Sequence, residues 1–325
     1  MKGEVSSLIE MDLGTPQGSR LSPLLFVILM ADLNLWIKGS FLCNFADDTQ
    51  SIVIEESREA MIKKVKEESR EVLAFFSGVN LVNNPDKAAL LQNSKRKHNS
   101  IEIEIGGEKL VSGETEKLLG MYVSSDLDWT VHVDMVCKAL KQRLGILKRL
   151  KYRVHKSKLS VIAEAIFTSK IRYGLAVYSN PRTCEEETED SELRRLQVLQ
   201  NDMLRLINGH TRAEHINMKE LRARTKSMSV NQLSVYHIVM EMYNVIWRNS
   251  STQLKRKMQK IEDPNETKQL RPRLKIPLRP SSRCCGFSFI GPKIWNQTPI
   301  QIREETDPSI FKKELKEWVL KEIPN

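Results

Sequence analysis

Cysteine, histidine, glycine, proline and aromatic residues are all scarce in this chain, and each scarcity removes a class of answers. Five cysteines in 325 residues form no CxxC pair and no even set, and the six histidines are scattered. A structural zinc site or a disulfide framework is therefore not expected, and a reducing intracellular setting is. Fourteen glycines and twelve prolines are too few for a collagen-like or broadly disordered chain. The longest uninterrupted apolar run, Leu24 to Ala31, is eight residues, against the roughly 20 that a membrane-spanning helix needs. No basic-then-apolar leader opens the chain, so secretion is not expected; nucleus and cytoplasm are not distinguished.

What the chain does have is hydrophobic side chains at 40% and a surplus of positive charge, 51 lysines and arginines against 41 acids, for a net +10. The length suits two or three domains with a sizeable core. The charge favours a polyanionic partner, nucleic acid before an anionic membrane surface. Solubility alone is the plain alternative. Membrane binding has little support, because no long basic amphipathic helix carries a broad apolar face.

The hydrophobic patterning predicts an α+β region to about residue 126, followed by helices. Ser22-Pro23 reads as an N-cap with proline at the first helical position, opening an apolar helix over Leu24–Ile37. Phe41–Phe45 and Ser51–Ile54 read as a hairpin around Ala-Asp-Asp-Thr-Gln. Ser57–Phe76 is amphipathic. Ile101–Ile105 and Lys109–Val111 flank Gly106-Gly107 as a second hairpin, and Leu118–Val123 is a further strand. Helix-like spacing then covers Val131–Leu150, Ser157–Tyr178, Ser191–Asn208, Val230–Asn249 and Ser309–Leu320. An acidic loop over Cys184–Glu192 and a Pro/Arg/Lys linker over Arg271–Arg283 complete the pattern.

Two features could carry chemistry. Asp47 and Asp48 stand together at the predicted hairpin tip, where neighbouring carboxylates offer hard oxygens to magnesium. Aspartates are also common in turns for their own sake. Upstream runs GTPQGSRLSPLLF, Gly14 to Phe26, a glycine-containing loop before a helix. A backbone or phosphate can approach closely there, although an ordinary Gly-Pro turn has the same look.

The combination PQGS-x-LSPLLF followed by FADDT resembles the reverse transcriptases of non-LTR retrotransposons and their group II intron relatives. Asn84-Pro85-Asp86-Lys87, Lys117-Leu118-Leu119-Gly120, Lys170-Ile171-Arg172-Tyr173-Gly174, Leu196–Asn201 and Gly291–Asn296 resemble further tracts of that family in the expected order. The resemblance implies an RNA-directed DNA polymerase that uses RNA template, DNA primer and deoxynucleoside triphosphates, with two Mg2+ ions driving nucleotidyl transfer. It implies a partial polymerase palm over 1–126, a small antiparallel sheet with packed helices. A helical thumb over 127–178 and a helical C-terminal region over 179–325 would follow, the latter with a basic linker at 271–283.

By the same resemblance, Asp47 is the principal metal ligand and Asp48 its weaker neighbour. Gln17 and Gly18 line the path of template and nucleotide, Leu119 and Gly120 grip the primer, and Lys87 lies near the triphosphate. For Lys87, a solvated surface lysine is an equal reading. The family also needs a third carboxylate on an upstream palm strand and fingers residues that hold the triphosphate. Only thirteen residues precede Gly14 here. The expectation is therefore a truncated palm plus everything downstream, inactive alone, with a non-catalytic nucleic-acid-binding remnant as the alternative.

The residues themselves point to a nucleic-acid surface after the palm. Lys138, Lys141, Arg143, Lys148, Arg149, Lys151, Arg153, Lys156 and Lys158 follow one another with no acid between them, and such cations neutralise phosphates and release counterions. Arg271, Arg273, Lys275, Arg279 and Arg283 are a weaker single-strand candidate. Trp295 and Trp318 could stack on bases, but tryptophans at such positions more often belong to the core.

Overall fold

The computed structural model describes residues 14–16, 18–93, 100–182, 190–252, 254–255 and 286–324. Its backbone falls into two compact units. One runs to Glu116 and takes in Ser124–Leu127; the other comprises Lys117–Val123 and the chain from Asp128 onward.

The N-terminal unit opens on helix α1, Ser22–Ala31, which turns at Asp32 into the short α2, Leu33–Trp36. The helix starts one residue earlier than a Ser22 cap requires. Leu21 occupies the N-cap without a side-chain cap bond. The Ser22 hydroxyl instead donates back to the Pro16 carbonyl at 2.8 Å, tying the loop to the first turn. Strands β1, Phe41–Phe45, and β2, Asp48–Ile52, pair antiparallel from Phe45↔Asp48 to Phe41↔Ile52, joined by the two residues Ala46 and Asp47. Helix α3, Arg58–Gly78, starts where Ser57 accepts from the Ala60 amide, a capping bond worth about 1 kcal/mol. Met30, Leu33, Ile37 and Phe75 form the small core of these elements, with Phe26, Leu42 and Val72 packed on it.

Strands β3, Glu102–Ile105, and β4, Glu108–Val111, make the second hairpin. Gly106 and Gly107 both sit at positive φ, +61° and +87°, the conformation that tight hairpin turns demand and glycine supplies. The expected small antiparallel sheet is thus present as separate two-stranded ladders.

Leu118–Val123 does not run straight as a single strand. It folds into a third hairpin, β5 Thr115–Leu118 and β6 Met121–Ser124. Leu119 and Gly120 turn the corner at φ +45° and +81°. A leucine in the left-handed region is uncommon, which is why residue type alone does not announce this turn.

The helical unit contains α4, Thr130–Leu150, whose buried side is His132, Val133, Val136, Cys137, Leu140, Leu144 and Leu147. The predicted helix over Ser157–Tyr178 is interrupted. It consists of α5, Lys156–Ala163, a π-helical turn over Glu164–Thr168, α6, Ser169–Arg172, and α7, Leu175–Tyr178, with Gly174 at φ +70° making the break. Helix α8, Ser191–Asn208, is capped by Asp190 and ended by Gly209 in the left-handed conformation. Its residues Leu196 and Leu199 share a core with α4, α5 and α9, Met218–Thr225.

A Ser229/Gln232 capping box opens α10, Val230–Trp247, which links that core to a second. The second is built with α11, Phe287–Gln297, α12, Ile300–Glu304, and α13, Pro308–Glu322. The Gln232 amide, buried among them, donates to the Val319 and Ile323 carbonyls. Trp295 is fully buried in this core, and Trp318 packs against it. The core reading therefore holds for Trp295, while Trp318, half-buried, lies at the edge of that core. The 271–283 linker and most of the acidic loop lie outside the described residues. No helix among the described residues is long and apolar enough to cross a membrane.

Candidate functional site

The carboxylate pair is positioned by the β1–β2 turn. Ala46 takes a positive φ of +52°, so the chain reverses within two residues, leaving Asp47 at the tip and Asp48 as the first residue of the return strand. Both side chains are exposed. In the antiparallel register Asp48 faces the same way as Phe45, Cys43, Phe41 and Ile52, because side chains alternate across a strand. The opposite face holds Leu42 against the small core, and Ser51 donates to the buried Glu68 carboxylate at 3.1 Å. The glycine loop connects to this hairpin through packing: α1, which follows the loop, contributes Phe26 and Met30 to the core that holds Leu42.

Gly18 stands at φ +85° with open space where a Cβ would project. Backbone conformation, not crowding, calls for glycine there. Gln17 lies outside the described residues. Lys87 ends a 3₁₀ turn, Pro85–Lys87, organised by Asn84, whose side chain accepts from the Asp86 amide and whose carbonyl accepts from Lys87. Its side chain is exposed, and no ion pair joins it to Asp47 or Asp48 among the described residues. Two adjacent carboxylates suit magnesium, which typically takes one or two of them together with substrate phosphates. Among the described residues, no three His, Cys, Asp or Glu side chains converge as a metal cluster.

A second constellation, within the helical unit, joins two motifs distant in sequence. The Tyr173 hydroxyl donates to the Leu119 carbonyl at 2.5 Å, and a Cβ on Gly120 would lie 3.5 Å from the Tyr173 ring. Tyr173 holds the turn, and the positive φ of +81°, not crowding by the ring, calls for glycine at 120. Below it, the Tyr122 amide donates to His132 Nδ1 at 3.3 Å, and the His132 ring meets Tyr178 edge-on at 4.8 Å. Burial, with a smaller push from Lys170, lowers the His132 pKa to about 4.

Lys170 Nζ sits 5.8 Å over the Tyr173 ring. Burial first, then the charges of Arg143 and Lys117, hold its ammonium below the usual lysine range. Three cations therefore feel one another beside the Leu119–Gly120 turn, a field that favours an anion. The sequence pattern flagged Lys117 and Tyr173 only as parts of motifs. Their juxtaposition depends on the fold.

The basic face is carried by α4. Lys138, Lys141, Lys148 and Arg149 are exposed and fall within about a third of the helix circumference. The one acid of this helix, Asp134, is taken by Arg195 of α8. Lys151 is half-buried just past the helix end. Arg143 is set apart from the exposed four: half-buried, it donates to the Ile166 carbonyl in the π-turn. A π-helical turn leaves carbonyls out of the usual i→i−4 ladder, and this guanidinium satisfies one.

The chain was compared with known proteins. A family model described as "Reverse transcriptase (RNA-dependent DNA polymerase)" matches residues 1–119. The "RNA-directed DNA polymerase from mobile element jockey" of Drosophila melanogaster is 23% identical over 219 residues, covering 64% of this chain. The chain spans 23% of that relative's own length. No solved structure matches. Residues 1–119 are thus similar to the reverse transcriptase family, and the likeness to the polymerase of a mobile element reaches beyond them.

Proposed function

We propose that this chain is the downstream polymerase portion of a non-LTR retrotransposon reverse transcriptase, acting on RNA template, DNA primer and deoxynucleoside triphosphates. The observation that carries the reading is the exposed Asp47–Asp48 pair. It stands on a two-residue turn whose strands share a core with the helix behind the glycine loop, within the 119 residues that match the family.

Asp47 and Asp48 would hold magnesium, which would supply charge stabilisation to the oxygens of an in-line phosphoryl displacement. Lys87 balances triphosphate charge, and Gln17 and Gly18 line the template and nucleotide path. The Leu119–Gly120 turn, with Lys117 and Lys170 beside it, faces the primer. Lys138, Lys141, Lys148, Arg149 and Lys151 hold the duplex, with Arg143 bracing the π-turn behind them. A two-metal site needs a shared ligand, and we assign it to a carboxylate from a segment beyond these 325 residues.

Primer extension on an RNA template with magnesium tests this. The 325 residues alone are expected to give no product; adding an upstream palm segment, in cis or as a partner chain, should restore it, and Asp47→Ala should return it to background. Extension that survives Asp47→Ala would overturn the metal assignment. The α4 cations support a second reading, a non-catalytic nucleic-acid-binding remnant. Salt-sensitive duplex binding with no extension under any complementation would select it. In either case, replacing Lys148, Arg149 and Lys151 with alanine should reduce the salt slope of duplex binding by about three units.

A further inference from the structure

Away from the carboxylates and the α4 face, the helical unit holds a cavity of about 420 Å³ between α5, α8, α9 and the Ser227 loop. That volume lies in the range that houses small ligands. Its floor is apolar and buried: Met203, Ile207 and Leu221 are each less than a tenth exposed. Its mouth carries the exposed cations Lys156 and Arg224. The one acid in the lining, Glu164, is engaged by Arg172 at 2.6 Å. Neither Lys156 nor Arg224 makes an ion pair among the described residues. Asn208, Thr225 and Ser227 also line it. The Ser160 hydroxyl bonds back to the Lys156 carbonyl, the Asn208 amide to the Leu204 carbonyl and the Thr225 hydroxyl to the Leu221 carbonyl, so these groups are satisfied within their own helices.

An apolar floor under a two-cation mouth suits a flat, weakly polar group that carries phosphate. The chain also indicates how such a group would arrive. Lys148, Arg149, Lys151 and Arg153 lead from the end of α4 to Lys156 at the start of α5 without an intervening acid. Lys156, in the cavity lining, thus continues the same basic stretch of chain.

We propose that this cavity takes one unpaired nucleotide of a nucleic-acid strand, its base on the Met203–Ile207–Leu221 floor and its phosphates between Lys156 and Arg224. The inference rests on reading α4 as a nucleic-acid surface. It adds a single-strand subsite, which lets the protein distinguish a duplex with a protruding end from a blunt one.

The test compares the 325-residue chain on a blunt RNA–DNA duplex and on the same duplex with a five-nucleotide overhang, made once as RNA and once as DNA. A 2-aminopurine placed successively along the overhang reports unstacking. Burial of one base should raise affinity about tenfold over the blunt duplex, with a fluorescence change confined to one overhang position. Ser160→Trp, which puts a large ring into the mouth from an exposed helical position, should abolish that preference and leave blunt-duplex affinity unchanged. Lys156→Ala with Arg224→Ala should reduce the preference with unchanged circular dichroism. A preference for only one of the two overhang chemistries would identify the strand that the cavity receives. Blunt-duplex binding with no overhang preference, or a preference that survives Ser160→Trp, overturns the subsite alone. Loss of all duplex binding overturns the α4 reading and the subsite with it.

Discussion

Helices α1 and α10 are both apolar along most of their length, yet they have opposite fates. In α1, SPLLFVILMA, Met30 alone is buried, and Leu24, Leu25, Val27, Ile28 and Leu29 are exposed. In α10 ten residues are buried, from Val230 to Val245, against α8 on one side and α11 and α13 on the other. A helix that is apolar all round requires cover all round. The contrast extends to the units: among the described residues, six buried apolar residues lie in the N-terminal unit and 35 in the helical one. The carboxylates thus sit on the thinly packed unit, and the basic surface on the densely packed one. Binding needs only a stable cationic face, whereas metal chemistry needs several elements to converge.

The sharpest way to break this comparison is to cut into the dense unit. Phe167, fully buried in the π-turn, should cost about 4 kcal/mol on truncation to alanine, since a cavity adds to the lost transfer energy. Denaturant unfolding followed by hydrogen exchange would measure it. In the unaltered chain α4, α8 and α10 should exchange more slowly than β1–β2. Greater protection in the β1–β2 hairpin would reverse the ranking of the units.

Acid should act unequally too. Burial, with Lys170 and Arg172 as lesser causes, lowers the pKa values of His132 and His237 to about 4, below the roughly 6.5 of an unfolded histidine. Both rings stay neutral in the fold while the unfolded chain takes up protons. Their contribution is therefore complete above about pH 6.5 and is lost as pH falls through about 4, on the order of 2 kcal/mol for the pair after solvent screening. The described part of the N-terminal unit contains no histidine. A thermal midpoint that is flat from pH 7 to 4.5, or unchanged in slope by His132→Phe, would contradict this.

Much of the plan was legible because local chemistry marked it. Asp190 and Gly209 bracket α8 at the predicted Ser191 and Asn208, Ser57 caps α3, and Gly106-Gly107 sets a hairpin. The Asp47–Asp48 pair lies on its predicted hairpin for the same reason. Other features depend on tertiary contacts. Leu119 bends where leucine seldom does, held by a hydroxyl 54 residues away. Helix α11 continues through Gly291 and Pro292, residue types that ordinarily interrupt a helix, because Ile290, Ile294 and Trp295 are buried in the second core. Arg143 belongs to a basic run in sequence, but the π-turn takes it. Spacing along one helix cannot reveal the carbonyl that another leaves open.

Tyr173→Phe probes that long-range contact at smaller scale. Removing one hydroxyl bond to a partly exposed residue should cost about 1 kcal/mol or less, with faster hydrogen exchange confined to 117–123. A stability change without that local signature would mean that Tyr173 acts by packing, not by pinning the turn.

The smallest effect is the most discriminating, since it inverts a familiar rule. Placing a charge at an apolar helical position is ordinarily damaging, and at Val239, fully buried in α10, lysine would strand an ammonium in the core. Ile28 is equally apolar and mid-helix, but 59% exposed. In these 325 residues Ile28→Lys should change stability by no more than about 0.5 kcal/mol, because no buried contact is lost and lysine is a slightly better helix former than isoleucine. Solubility should improve as an exposed apolar patch is broken. Once an upstream palm segment restores primer extension, the same substitution should become harmful if that segment covers α1. A neutral effect alone that turns into a loss of activity on complementation would identify the exposed side of α1 as the surface that the complete polymerase buries; a large destabilisation of the 325 residues themselves would show that α1 is already packed.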